Sequence, residues 1–124
     1  MKQREDFILE KLAEIRALKE RILRSRLESI APTSESICIF EEGCDASLLK
    51  KLANEGVALT DRLFCAFSEN PDGGYSYVIV TKEGELSSLA ASMREALGGR
   101  GGGRGTMISG FVTASRAEIE KFFS

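Results

Sequence analysis

The stretch "ALGGRGGGRGTMISGF", residues 96–111, gathers seven of the chain's twelve glycines around two arginines and then runs into an apolar segment. A low-complexity tail, a phosphate-holding loop and the turn of a catalytic site are three uses of such a stretch. What flanks it narrows the choice. "LSSLAASMREALG" (86–98) reads as a helix of small and apolar residues, and "TMISGFV" (106–112) as a strand. The glycines are therefore expected as a loop between helix and strand, anchored at both ends, which argues against a tail. The stretch lacks GxxxxGK[ST], and it follows a helix where a Rossmann GxGxxG follows a strand, so neither kind of nucleotide turn is expected. A glycine loop offers exposed N–H donors and no side chains to obstruct a sugar-phosphate backbone, and Arg100 and Arg104 add two guanidinium forks. The same glycines can also serve the fold alone, by admitting positive φ or tight packing of helix on strand.

Working back towards the N-terminus, "NPDGG" (70–74) separates "RLFCAFSE" (62–69) from "YSYVIVTK" (75–82), which predicts an antiparallel hairpin. "ICIF" (37–40) reads as a strand, and "DASLLKKLANEG" (45–56) as a helix capped by Asp45 and ended by Gly56. Beyond the glycines, "SRAEIEKFF" (115–123) reads as a last helix, with Ser115 as N-cap and Glu118 at the capping-box position. The expected order is αβαββαβα. The fold class is α/β, a mixed sheet with helices layered on it, preceded by a long N-terminal amphipathic helix.

That helix is predicted from about Glu5 to Ile30, where Ile8, Leu12, Ile15, Leu18, Ile22, Leu23, Leu27 and Ile30 recur at spacings of three and four, and Pro32 stops it. At about 1.5 Å per residue it runs roughly 39 Å, longer than a domain of the remaining size can cover. The surplus apolar stripe points to a partner helix; a helix packed wholly on its own domain is the alternative, and a polar face carrying nearly as many acids as bases argues against a membrane-surface helix. The chain is expected to divide into a dimerisation helix over 1–32 and a globular domain over 33–124.

Composition bounds the chemistry. At 124 residues and 43% hydrophobic, the chain can bury a core. No apolar run is long enough for a membrane span, and the N-terminal "MKQREDFILEK" lacks a signal peptide's apolar core, which points to the cytoplasm. Cys38, Cys44 and Cys65 show no CxxC spacing and read as reduced thiols, with Cys38 and Cys65 as buried strand residues. There is no histidine, so a Ser-His-Asp triad, a Cys-His pair or an HExxH zinc site cannot be assembled from this chain. Residues 1–30 carry eight Lys/Arg against six Asp/Glu, residues 31–93 four against ten, and residues 94–124 five against three, giving +2, −6 and +2. A net charge of −2 suits no general nucleic-acid binder, but a local basic patch can contact phosphates.

"GGRGGGRGTMISG" resembles the GG[KR]GGGRxxxAxG signature of the DHH-associated domain, in the form found at the C-terminus of alanyl-tRNA synthetase (C-Ala) and of long AlaX-type alanyl-tRNA editing proteins. The matching positions are Gly98, Gly99, Arg100, Gly101, Gly102, Gly103, Arg104 and Gly110. Gly105 stands where proline is usual, Thr106 where an acidic residue is usual, and Ile108-Ser109 replace Ala-Gln. The resemblance covers 35–124 by element order, and the 5–30 helix resembles the helical segment that precedes the domain in those proteins. It implies a noncatalytic module that binds tRNA, alanine tRNA in particular, through those eight residues and dimerises through its helix. No cofactor, metal or membrane partner is expected, since the chain lacks histidine, a clustered metal-ligand motif and a membrane-spanning run. The alternative the resemblance leaves open is the substrate-binding accessory domain of a DHH-type phosphoesterase acting on oligonucleotides or cyclic dinucleotides; Arg104 stands where those enzymes carry histidine.

Other residues invite weaker readings. Glu41, Glu42 and Asp45 are a possible cation cluster or an acidic loop ending in an N-cap. Tyr75, Tyr77, Phe64 and Phe67 are a possible base-stacking platform or alternating core residues. Lys50-Lys51 reads as a solvated helix face.

Overall fold

The computed structural model describes the backbone of residues 2–123, and the side chains of residue 11 and residues 13–123. The chain divides into two compact units, Met1–Ile30 and Ala31–Ser124.

The first unit is helix α1, Lys2–Glu28. Ser29 closes its last turn, its N–H donating to the Ser25 carbonyl at 3.2 Å and its hydroxyl to the Arg26 carbonyl at 2.7 Å. Ile15, Leu18 and Ile22, at helical spacing, are exposed. The expected stripe also included Ile8 and Leu12, whose side chains lie outside the described residues.

The second unit is built on a five-stranded mixed sheet. Strands β1 (Ile37–Glu42) and β2 (Leu63–Glu69) run parallel, with Cys38 opposite Cys65 and Phe40 opposite Phe67. Parallel neighbours require a crossover, supplied here by α2 (Ala46–Gly56) and a short 3₁₀ turn, Val57–Leu59. Asp45 caps α2 by accepting the Leu48 N–H at 2.8 Å. Gly56 is the last residue of α2, as expected, with φ −74°, and the chain continues in a right-handed turn. Its lack of a side chain answers to packing, because a Cβ there would collide with the Phe64 ring.

The 70–74 turn joins β2 to antiparallel β3 (Tyr75–Thr81), with the Asn70 N–H donating to the Gly74 carbonyl and the Gly73 N–H to the Asn70 carbonyl, both at 3.0 Å. Then follow α3 (Ser87–Leu97), β4 (Arg100–Arg104), β5 (Met107–Val112) and α4 (Arg116–Phe123). The order across the sheet is β1-β2-β3-β5-β4, with β5 antiparallel to both neighbours. The Glu118 N–H donates to Ser115 Oγ at 3.3 Å and caps α4.

The glycine stretch thus departs from the loop expected for it: it is the edge strand β4, turning through Gly105-Thr106 into β5. The sequence signal for strands rests on β-branched and aromatic side chains, and Arg-Gly-Gly-Gly-Arg has none. Its extended form comes from pairing with β5, which lies farther along the chain.

Two layers of helix cover the sheet. On one face, Cys65, Phe67, Tyr77, Ile79, Ile108 and Val112 pack with Ala90, Met93 and Leu97 of α3 and Ile119 of α4. On the other, buried Phe64, Ala66, Val78 and Val80 lie beneath Leu48, Leu49, Leu52 and Ala53 of α2. α2 lies over β2 and β3, while α3 lies over β4 and β5 from the opposite side. Within this unit the β4–β5 ribbon is therefore backed by helix on one face only.

Candidate nucleic-acid interface

Side chains alternate across a strand, so register decides what each residue of the glycine stretch does. On the α3 side of the ribbon, Gly101 pairs with Gly110 and Gly103 with Ile108. On the other side, Arg100 pairs with Phe111, Gly102 with Ser109 and Arg104 with Met107.

The α3 side is tightly filled. A Cβ on Gly101 would collide with the Tyr77 phenol oxygen, and one on Gly110 with the Arg100 carbonyl. Tyr77 is 2% exposed, and burial pushes its phenol above its ordinary pKa. The bare Gly101 lets the Tyr77 ring reach the ribbon, and the bare Gly110 lets the β4 backbone pass close to β5.

The ends of β4 are shaped by backbone conformation. Gly98 and Gly99 have φ of 72° and 85°, a combination that turns the chain out of α3 directly into the strand. At the far end, the Gly105 N–H donates to Glu85 Oε1 at 2.7 Å and the Leu86 N–H donates to the Gly105 carbonyl at 2.9 Å. Glu85 Oε1 also accepts the Ser87 N–H at 3.2 Å. These backbone donors, Gly105 first, hold the Glu85 carboxyl below its usual pKa. The hairpin turn is thus tied to the start of α3 by a carboxylate.

The outer side is open. Arg100, Gly102, Arg104 and Phe111 are all exposed, and a Cβ on Gly102 would meet nothing within 4 Å. Gly98, Gly99, Gly103 and Gly105 have positive φ, and Gly101 and Gly110 are held by packing. Gly102 alone among the seven has neither reason to be glycine. It stands midway between two arginines whose Cα atoms lie about 13 Å apart, at about 3.3 Å per strand residue.

Of the eight residues picked out by sequence, then, the fold brings Arg100, Gly102 and Arg104 onto one exposed face. Gly98, Gly99, Gly101, Gly103 and Gly110 meet demands of backbone or packing. Phe111 joins the exposed face and was missed. Alternation from buried Ile108 carries the signal, since it sends Met107, Ser109 and Phe111 outward. The four aromatics named as a stacking platform are engaged elsewhere: Phe64, Phe67 and Tyr77 are buried, and Tyr75 packs edge-on to Phe40 and Phe67. Asp45 serves as a helix cap and Glu41 is buried. Among the described residues, no three of Cys, Asp and Glu gather as they would around a metal ion, and no helix is long and apolar enough to cross a membrane.

No protein-family description matches this chain, and no curated protein matches it by sequence. Among solved structures it is similar to the C-Ala domain from Aquifex aeolicus alanyl-tRNA synthetase, with a TM-score of 0.59 and 17% identity, over 76% of this chain and 92% of that one. At that identity the likeness is one of fold. The chain is built on a C-Ala-like fold.

Proposed function

We propose that the chain is a noncatalytic nucleic-acid-binding module, of the kind carried at the C-terminus of alanyl-tRNA synthetase-like or alanyl-tRNA editing proteins, with tRNA as its partner. The observation that carries this reading is the outer side of β4–β5, where two exposed guanidinium groups flank a glycine that neither backbone nor packing requires. Arginine forks bind phosphate oxygens in paired hydrogen bonds, and a bare strand between them lets a sugar-phosphate backbone approach. The C-Ala-like fold supports the choice of tRNA. No histidine is available to act as base or zinc ligand, which accords with a binding role.

Measuring tRNA affinity across a range of salt concentrations tests this. Replacing both arginines (Arg100→Ala/Arg104→Ala) removes two phosphate contacts, so the slope of log K against log salt falls by about 1.8 for duplex and about 1.4 for single-stranded regions. Stability changes by no more than about 0.5 kcal/mol, as for other exposed charges. An unaltered slope contradicts the proposal.

We further propose that α1 pairs with a second copy of the chain through the exposed stripe Ile15, Leu18 and Ile22. Sedimentation of the full chain gives a dimer at tens of micromolar, and Ile15→Glu/Leu18→Glu/Ile22→Glu gives a monomer. A wild-type monomer at that concentration refutes the pairing.

A further inference from the structure

Among the described residues of the Ala31–Ser124 unit, Phe111 is the one large apolar side chain left exposed, at 41%. A solitary surface phenylalanine needs no explanation in itself. Its setting does. Phe111 projects from the same side of the ribbon as Arg100, its cross-strand partner, and as Gly102 and Arg104. Its other neighbours on that face are Ser76, its partner on β3, and Ser109, two residues back along β5. Ser76 and Ser109 are both small, so the aromatic group rises from a low floor with a guanidinium beside it and another farther along β4.

An aromatic ring with one cationic fork beside it and a second farther along the strand is chemistry suited to a nucleotide strand, with a base stacked on the ring and phosphates on the guanidiniums. A base inside a duplex has both faces occupied by its neighbours and is not free to stack on a side chain. An unpaired base in a loop, bulge or strand end is free to do so. We infer that this face takes an unpaired nucleotide of a strand, its base stacked on Phe111 and the strand's phosphates held by Arg100 beside it and Arg104 farther along. The inference rests on the nucleic-acid-binding reading above and specifies its ligand class.

The test uses the full chain and fluorescence anisotropy with three labelled probes: a short single-stranded oligonucleotide, an abasic strand of the same length and backbone, and the duplex. The wild type binds the base-bearing strand at least about 5-fold more tightly than the abasic strand, the lower end of what stacking one base provides. Phe111→Ala removes that preference while leaving the salt slope and the affinity for the abasic strand unchanged, and Phe111→Tyr retains it. Equal wild-type binding of base-bearing and abasic strands, with a normal salt slope, overturns the stacking inference alone. Equal loss of affinity for every probe in Phe111→Ala also overturns it. No binding of any probe by the wild type defeats the nucleic-acid reading, and the inference with it. If instead Phe111→Ala changes the sedimentation of the chain and no affinity, the ring meets a second copy of the chain, and the inference fails.

Discussion

On the side of β4–β5 that faces α3, Gly101 and Gly110 lie opposite one another against Tyr77, while on the other side Gly102 stands between Arg100 and Arg104 with open space above it. Adjacent residues of one type, in one strand, are under opposite constraints. The inner pair is glycine because the protein's own atoms occupy the space a side chain needs. The outer glycine faces no such occupant. A run of glycines is thus no single signal: its alternate members answer to different neighbours, and only register separates them.

The largest effect expected from this contrast is on the inner side. Gly101→Val forces a branched side chain against the Tyr77 phenol oxygen and the Ser109 carbonyl, both fixed in a filled layer. Overpacking of that kind costs about 1–3 kcal/mol, enough to lower the melting temperature by roughly 5–20 °C in a domain of about 100 residues. Thermal unfolding followed by circular dichroism measures it. A melting temperature within a degree or two of the wild type would erase the difference between the two sides.

A smaller effect is expected at the turn. Glu85 has its carboxyl pKa lowered from the usual 4.5 because its charged form accepts the Gly105 and Ser87 N–H groups. A lowered folded-state pKa gives stability that is fully present above the unfolded value and lost as pH falls through the folded one. Unfolding temperatures measured between neutral pH and about pH 3 therefore fall less steeply on the acid side in Glu85→Gln than in the wild type, with the difference opening below about pH 4.5. Parallel curves would show that the carboxylate does not hold the turn.

Much of the fold could be read because its determinants are local. Asp45 and Ser115 cap helices by reaching residues three positions on, and the 70–74 turn closes within five residues. Strand β4 could not be read in that way. Its turn into β5 is just as local, but its sequence has no strand propensity to signal that a strand precedes that turn. Gly56 was legible as the end of α2, while the reason it carries no side chain, the Phe64 ring, comes from the next strand. At the candidate site the two arginines were legible by their residue type and spacing. Phe111 was not, because an apolar residue in an apolar run looks like core until pairing shows which side of the sheet it leaves by.

The claim that the outer side serves a ligand and not the fold is tested most directly at Gly102, by measuring melting temperature and tRNA affinity on the same preparation of Gly102→Val. The position is extended, exposed and free of neighbours within 4 Å, so valine fits a strand there at little cost, within about 0.5 kcal/mol. The same side chain stands where the sugar-phosphate backbone is to pass between Arg100 and Arg104. The account predicts an unchanged melting temperature with tRNA affinity reduced by roughly 10-fold, about 1.4 kcal/mol. A lowered melting temperature with tRNA affinity intact would contradict it.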